Sequence, residues 1–324
     1  MALKLSSFLQ LKPNVFIYQK LGWKMALIYM LVLGKIYFFL KQEEKRKILC
    51  SVERVFGDRK EPSEVKAIAK HVFRGIFCHY YEKIFNAYTN IQGLRSFLFG
   101  SVTAHRLERL DHALKEGRGV LFITGHYGGI EYIPIYLALK GYPVSVIAKF
   151  STVQLKETLH AKTKPLGLTI IDGAQKNGIL NGVIRELKAN RVVFIECDEI
   201  EEWRPSRNER THFLGKKIGV DRTINLLYRR TGAEIIFGLL HRYHLQKYDL
   251  FIEDLPGVLS KLGAPASSVA EAVLKCFEQF IYRYPEGWYQ WKNYSEIRSL
   301  DETSVEGMSP GPVSTLTPAF GELF

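Results

Sequence analysis

Gly-His-Tyr-Gly-Gly-Ile-Glu at residues 125–131 places an imidazole and a carboxylate five positions apart, with two glycines between them. An imidazole works as a base only when its tautomer is fixed, and a carboxylate on the other ring nitrogen fixes it. Inside one α-helix five residues turn through about 500°, which points two such side chains apart. With His126 in a turn and Glu131 just inside the following helix the two can meet, so the motif predicts a His126–Glu131 dyad. Gly128 and Gly129 would bring backbone amides to a helix N-terminus, where they could hold an oxyanion or a phosphate. That combination suits acyl transfer, with the imidazole taking the proton of an acceptor hydroxyl that then attacks an activated acyl carbonyl. No serine or cysteine stands beside the pair, so no covalent acyl-enzyme is required. The competing reading is an ordinary surface histidine. A metal site is weaker still, because His-x4-Glu is not a zinc spacing and no Cys or His cluster adds ligands.

The elements that must position this pair follow from the apolar pattern. Residues 119–124 form a continuous apolar run between glycines, as a strand buried on both faces should. Further strands are expected at 144–148, 168–171, 191–195, 234–240 and 248–253. Helices are expected at 43–60, 62–88, 129–140, 151–163, 178–189, 220–230 and 266–284. This alternation predicts an α/β fold: a layered, mainly parallel sheet flanked by helices, with an N-terminal hydrophobic helix and a helical lead-in. Ligands bind such sheets outside the carboxyl ends of their strands. His126 leaves one strand at that edge and Asp198 leaves another, in Phe194-Ile195-Glu196-Cys197-Asp198-Glu199.

Hydrophobic residues make up 47% and charged residues 24% of the 324, which excludes wholesale disorder. A formal charge of +12 favours an anionic partner: nucleic acid, an anionic lipid surface, or an acidic carrier or substrate. No recognition helix, zinc spacing or aromatic platform speaks for nucleic acid. Arg204, Arg207, Arg210, Lys216, Lys217 and Arg222 form a basic stretch, either a solvated loop or a dock for a phosphorylated glycolipid or an acidic carrier. Four cysteines without CxxC spacing fit a reducing compartment.

Residues 25–40 are strongly apolar but carry Lys35, and Lys41, Lys45, Arg46 and Lys47 follow at once. They suit a membrane anchor facing acidic lipids, spanning or lying in the interface, with a buried core helix as the rival. The expected organisation is an anchor region at 1–43, a catalytic domain at 44–298, and a disordered Pro/Ser/Thr/Gly-rich tail at 299–324.

The block around His126 closely resembles the His-x4-Glu block of the lysophospholipid acyltransferase superfamily, in particular the lauroyl/myristoyl acyltransferases of lipid A biosynthesis. The likeness runs from about residue 45 to about 295 and includes Cys197-Asp198-Glu199, similar to an Asp-Gln block. Phe213-Leu214-Gly215 resembles a Phe-Phe-Gly block, and Pro285-Glu286-Gly287-Trp288-Tyr289-Gln290-Trp291 a Pro-Glu-x-x-x-x-Trp signature. The resemblance implies an enzyme on the cytoplasmic face of the inner membrane, held by a single N-terminal anchor or peripherally. It implies transfer of an acyl chain from acyl-carrier protein or coenzyme A to a lipid hydroxyl, with no other cofactor and no metal. The implied acceptor is a lipid A precursor or related glycolipid, with a glycerophospholipid acceptor or a non-catalytic lipid-binding protein as alternatives. His126 would be the base, Glu131 its orienting partner, and Asp198 an acidic position near the site. Glu199 departs from the usual Gln. Lys162 and Lys164 stand where relatives often carry arginine, and the resemblance implies Lys164 as a substrate-binding cation beside Asp198, without arginine's bidentate fork.

Overall fold

The computed structural model describes residues 11–20, 23–148, 153–173, 178–200, 203–244, 246–262 and 265–300. All but the first two residues of the expected tail, 299–324, lie outside the described residues, as do the first ten of the expected anchor region.

Val120–Thr124 (β2) is buried at all five positions because it lies inside a seven-stranded sheet. Its neighbours are Val192–Glu196 (β5) and Glu234–His244 (β8), both parallel to it, with Val120 opposite Val192 and Glu234. Side chains alternate between the faces with the pleat: Leu121 and Ile123 enter one core cluster, Val120 and Phe122 the other. Burying each of these large side chains contributes about 1.5–3 kcal/mol. Beyond β5 lie Val144–Ala148 (β3) and Thr169–Asp172 (β4), again parallel. On the other side β8 turns back antiparallel into Lys247–Asp254 (β9), and Val102–His105 (β1) pairs parallel with β9 at the edge. The sheet is therefore mainly parallel, as expected, with one antiparallel pair.

The helical lead-in comprises Lys12–Lys20 (α1), Trp23–Leu40 (α2), Gln42–Phe56 (α3) and Pro62–Tyr88 (α4), then Ile91–Ser101 (α5) and Glu108–Lys115 (α6). Helix α4 begins where Glu61 and Glu64 form a reciprocal capping box ahead of Pro62 in the first turn. After the sheet begins, the helices are Ile133–Leu139 (α7), Val153–Thr163 (α8), Ile179–Lys188 (α9), Arg222–Thr231 (α10), Leu255–Lys261 (α11) and Val269–Arg283 (α12).

Strand β1 and helices α5, α6 and α11 are additions to the elements expected from sequence, and two expected stretches take a different form. The helix expected at 129–140 is a 3-10 turn at Ile130–Tyr132 followed by α7. Pro134 explains the break: it has no N–H to donate, is tolerated only in a helix's first turn, and so restarts the helix at Ile133. The basic stretch is not a loop. It folds into an antiparallel ribbon, Pro205–Phe213 (β6) and Lys216–Asp221 (β7), joined through Leu214 and Gly215 at positive φ. Two consecutive positive φ values match the twist of a tight hairpin.

Candidate active site

The register of β2 and β5 builds the first half of the site. Thr124 lies opposite Glu196, so two residues further along each chain His126 and Asp198 emerge side by side. The Cys197 amide donates to the Thr124 carbonyl at 2.8 Å, which holds the two exits together. Asp198 is fully buried and has three donors: the His126 amide at 2.9 Å, His126 Nδ1 at 3.0 Å and Trp288 Nε1 at 2.7 Å. In the neutral ring a carboxylate accepting from Nδ1–H leaves Nε2 as the nitrogen with the free lone pair, which is the tautomer a base needs, and His126 lines the cavity described below. Nε2 lies 3.7 Å from Glu199 Oε2.

Burial pushes the His126 imidazole down. The Asp198 charge and hydrogen bond outweigh it, and with Glu196 and Glu199 they carry its pKa up to about 9. Burial also lifts the Glu196 carboxyl to about 7, against the pull of His126.

The structure does not bring the Glu131 carboxylate to His126. The 3-10 turn directs it to helix α4, where it lies 3.3 Å from Lys83 Nζ and 3.9 Å from His79 Nε2. Its backbone carbonyl accepts from Asn86 Nδ2 at 2.9 Å. Asp198 takes the place the sequence assigned to Glu131, because strand register fixes it while the proline-broken helix turns Glu131 away. The Glu131 charge holds the Lys83 ammonium above its ordinary range despite burial. His79 is stacked on Tyr289 with ring centres 3.6 Å apart, and Tyr289 meets His126 edge-on at 5.5 Å.

The glycines also behave differently. The Gly128 amide donates to Gly287 O at 2.8 Å and the Gly129 amide to Leu240 O at 2.9 Å, so neither is available to an oxyanion. Their purpose is close packing. Gly128 has φ +53, and a Cβ there would sit 2.0 Å from Leu240 O.

His126 opens into a cavity of about 1180 Å³ with three kinds of wall. Glu131, Lys83 and His79 face it on the α4 side, and Ile135, Val146, Ile147, Ile170, Ile179 and Val183 form an apolar arm. Arg204, Arg222, Arg229 and Lys292 bring positive charge to its rim. Lys164 is not among the residues lining this cavity; with His160 and Thr169 it lines an adjoining hollow of about 400 Å³ that shares Thr163 and Leu168 with the cavity. Lys162 donates to the Asn86 and Ala87 carbonyls at the end of α4, and burial pushes its amine down to about 8.

Sequence reading missed Trp288, Lys83 and His79. Trp288 lies in the Pro285 block, which closes over the site: Tyr127 and Trp288 form a β-bridge, and the Tyr289 amide donates to His126 O at 3.2 Å. The signal for the other two was present on α4. Ile76, His79, Lys83 and Asn86 recur at helical spacing, putting polar groups on a face that otherwise reads as aromatic core.

A search of curated proteins returned no match. The family profile described as bacterial lipid A biosynthesis acyltransferase matches residues 14–293, which include every residue of the site above. The chain belongs to that family of acyltransferases.

Proposed function

We propose that the chain transfers a fatty acyl group from an acyl-carrier-protein or coenzyme A thioester to a hydroxyl of a lipid A precursor or related glycolipid at a membrane surface. The observation that carries this reading is the Trp288–Asp198–His126 bond chain ending at the mouth of a cavity with an apolar arm and a cationic rim. His126 Nε2 takes the proton of the acceptor hydroxyl, whose oxygen attacks the thioester carbonyl carbon. The C–O bond forms as charge moves to the carbonyl oxygen. Collapse of that tetrahedral intermediate breaks the C–S bond, and the thiolate receives the proton back from His126. Asp198 stabilises the imidazolium that exists between the two proton transfers.

An oxyanion needs a donor aimed at it. With the Gly128 and Gly129 amides already bonded, Lys83 is the cation on the facing wall suited to that task, and Glu131 holds it in place. The apolar arm accommodates the acyl chain, and the arginine-rich rim suits an anionic headgroup or carrier.

The test is His126→Ala assayed with acyl thioester and lipid A precursor. The expected loss is about 10²–10⁴-fold in kcat, the usual range for a general base. Unchanged transfer by that variant overturns the assignment.

A further inference from the structure

Three consecutive residues of β8 tie together the two sides of the cavity. The Leu240 carbonyl accepts from the Gly129 amide at 2.9 Å, and His241 Nδ1 lies 3.0 Å from the Tyr127 hydroxyl. Arg242 reaches across to Glu82 on helix α4. The first two contacts hold the turn that carries His126, and the third holds the helix that carries Lys83 and His79.

The third contact is a closed unit. Arg242 Nε donates to Glu82 Oε1 at 2.6 Å and its Nη2 to Oε2 at 2.8 Å, a two-pronged fork. Tyr248, directly opposite Arg242 in the β8–β9 register, donates its hydroxyl to Oε1 at 2.8 Å. The Glu82 side chain is 1% exposed and that of Arg242 11%, so the pair lies almost wholly out of water. The Tyr248 ring also meets Tyr132 edge-on at 5.6 Å, in the 3-10 turn that carries Glu131.

Stability does not account for such a unit. Removing two charges from water costs about as much as their attraction returns, and apolar side chains of similar volume serve a core as well or better. What apolar packing does not supply is direction, whereas a planar fork on a carboxylate fixes both distance and angle. At 100° per residue, His79, Glu82, Lys83 and Asn86 fall within about 100° of arc on α4. The angle fixed at Glu82 is therefore the angle at which Lys83 and His79 face the cavity. We propose that Arg242, with Glu82 and Tyr248, is a positioning residue: its fork locks the rotation of α4 and so sets the place of Lys83 in the cavity opposite His126. Through Tyr132 the same unit supports the turn of Glu131, so both members of the Lys83–Glu131 contact rest on it. The effect on turnover rests on the acyl-transfer reading with Lys83 as oxyanion donor; the placement of Lys83 does not, and is followed without turnover.

The experiment uses the full chain. Glu82→Leu/Arg242→Met/Tyr248→Phe replaces the unit by apolar groups and leaves no member of it buried and unpaired, so the thermal midpoint should stay near that of the unsubstituted protein. Its kcat for acyl transfer should fall about 10- to 10²-fold with KM within about twofold, as misplacing a catalytic group by about 1 Å would do. In a Lys83→Met background the same triple change should cost less than about twofold more, because the group it positions is gone. Full kcat in the folded triple variant, or an equal loss with and without Lys83, overturns the proposal. Should the triple variant not fold, Arg242→Lys keeps the charge and loses the fork, and its kcat should fall about three- to tenfold. An unchanged kcat there overturns the proposal equally.

The placement itself is read from the reactivity of the Lys83 amine, whose side chain is 35% exposed, toward an acetylating ester by peptide mass spectrometry. In either Arg242 variant Lys83 should label at least about threefold faster, since a loosened Glu131 contact leaves more of the amine neutral. Unchanged labelling overturns the positioning role whatever the turnover. Faster labelling combined with full kcat in Lys83→Met would instead remove Lys83 from the chemistry and leave its placement by Arg242 standing.

Discussion

Two walls meet at the cavity, and the chain builds them by different routes. The wall of His126, Asp198 and Glu196 comes from two adjacent parallel strands, so its residues are brought together by register. The wall of His79, Lys83, Asn86 and Glu131 comes from a helix and a 3-10 turn 45 or more residues apart, brought together by packing and by the Asn86–Glu131 bond. Each wall contains one carboxylate of interest. Asp198 is fully buried with three donors; Glu131 is about a quarter exposed and faces a lysine. The first is built to hold a histidine's tautomer and the second to hold a cation, although the sequence gives Glu131 the nearer position to His126.

The sharpest way to break this comparison is to remove each carboxylate in turn. Asp198→Asn keeps the shape but loses the charge and the acceptor that fixes Nδ1–H, so kcat should fall by about 10²–10⁴-fold, the whole contribution of the base. Asp198→Ala should also lower stability by about 1–3 kcal/mol, because Trp288 Nε1 is left buried without its acceptor. Thermal unfolding and single-turnover acyl transfer separate the two effects. A Glu131→Gln variant that lost as much as Asp198→Asn while changing the His126 titration would restore Glu131 as the histidine's partner.

The second wall predicts a smaller and coupled effect. Lys83→Met should lower kcat by about 10²-fold, the lower end of what one oxyanion donor contributes, with little change in KM. Glu131→Gln should cost about tenfold through the same lysine, and the double variant should be no worse than Lys83→Met alone. A rise in acceptor KM at unchanged kcat would instead make Lys83 a headgroup ligand.

The same contrast explains what could be read from sequence. Residues 119–124 were legible as a buried strand because unbroken apolar runs have one meaning between glycines. His126 and Asp198 were legible as neighbours at one sheet edge because parallel strands end together. The partner exchange was not legible. It depends on Pro134, which restarts the helix at Ile133 and leaves Ile130–Tyr132 as a 3-10 turn that directs Glu131 toward α4. The β6–β7 ribbon was hidden by its charges, since Arg207 and Arg210 mask the alternation that marks a strand. Trp288 could not be assigned to Asp198 because 90 residues separate them and only the fold closes that gap.

The pH profile tests the first wall more gently. His126 has a folded pKa near 9 against an ordinary 6.5, so its charge stabilises the fold fully below 6.5 and that stabilisation is lost as pH rises through about 9. The base is active only when neutral, so kcat/KM should rise across the range in which this contribution to stability declines. Glu199 is about two-fifths exposed and 3.7 Å from Nε2, and solvent screens its share. Glu199→Gln should therefore move the rising limb modestly to lower pH and raise the rate at pH 7 by about two- to fivefold. An unmoved limb would mean that Asp198 and Glu196 alone set the titration.

The smallest effect belongs to Lys164, which sequence reading put at the substrate, and to its neighbour Lys162. Lys164 lines the adjoining hollow and not the cavity itself, so Lys164→Ala should leave kcat and KM within about twofold, the behaviour of a surface change away from any special contact. Lys162, two residues earlier, caps the last carbonyls of α4 and thereby supports the wall that carries Lys83. Lys162→Met should lower stability by about 1 kcal/mol through two unmet carbonyls while touching kcat only slightly. The ordering of the two variants is the informative quantity. If Lys164→Ala raised the acceptor KM well beyond twofold and more than Lys162→Met did, the headgroup would have to reach beyond the arginine rim, and the division of labour between the two walls would need a third surface.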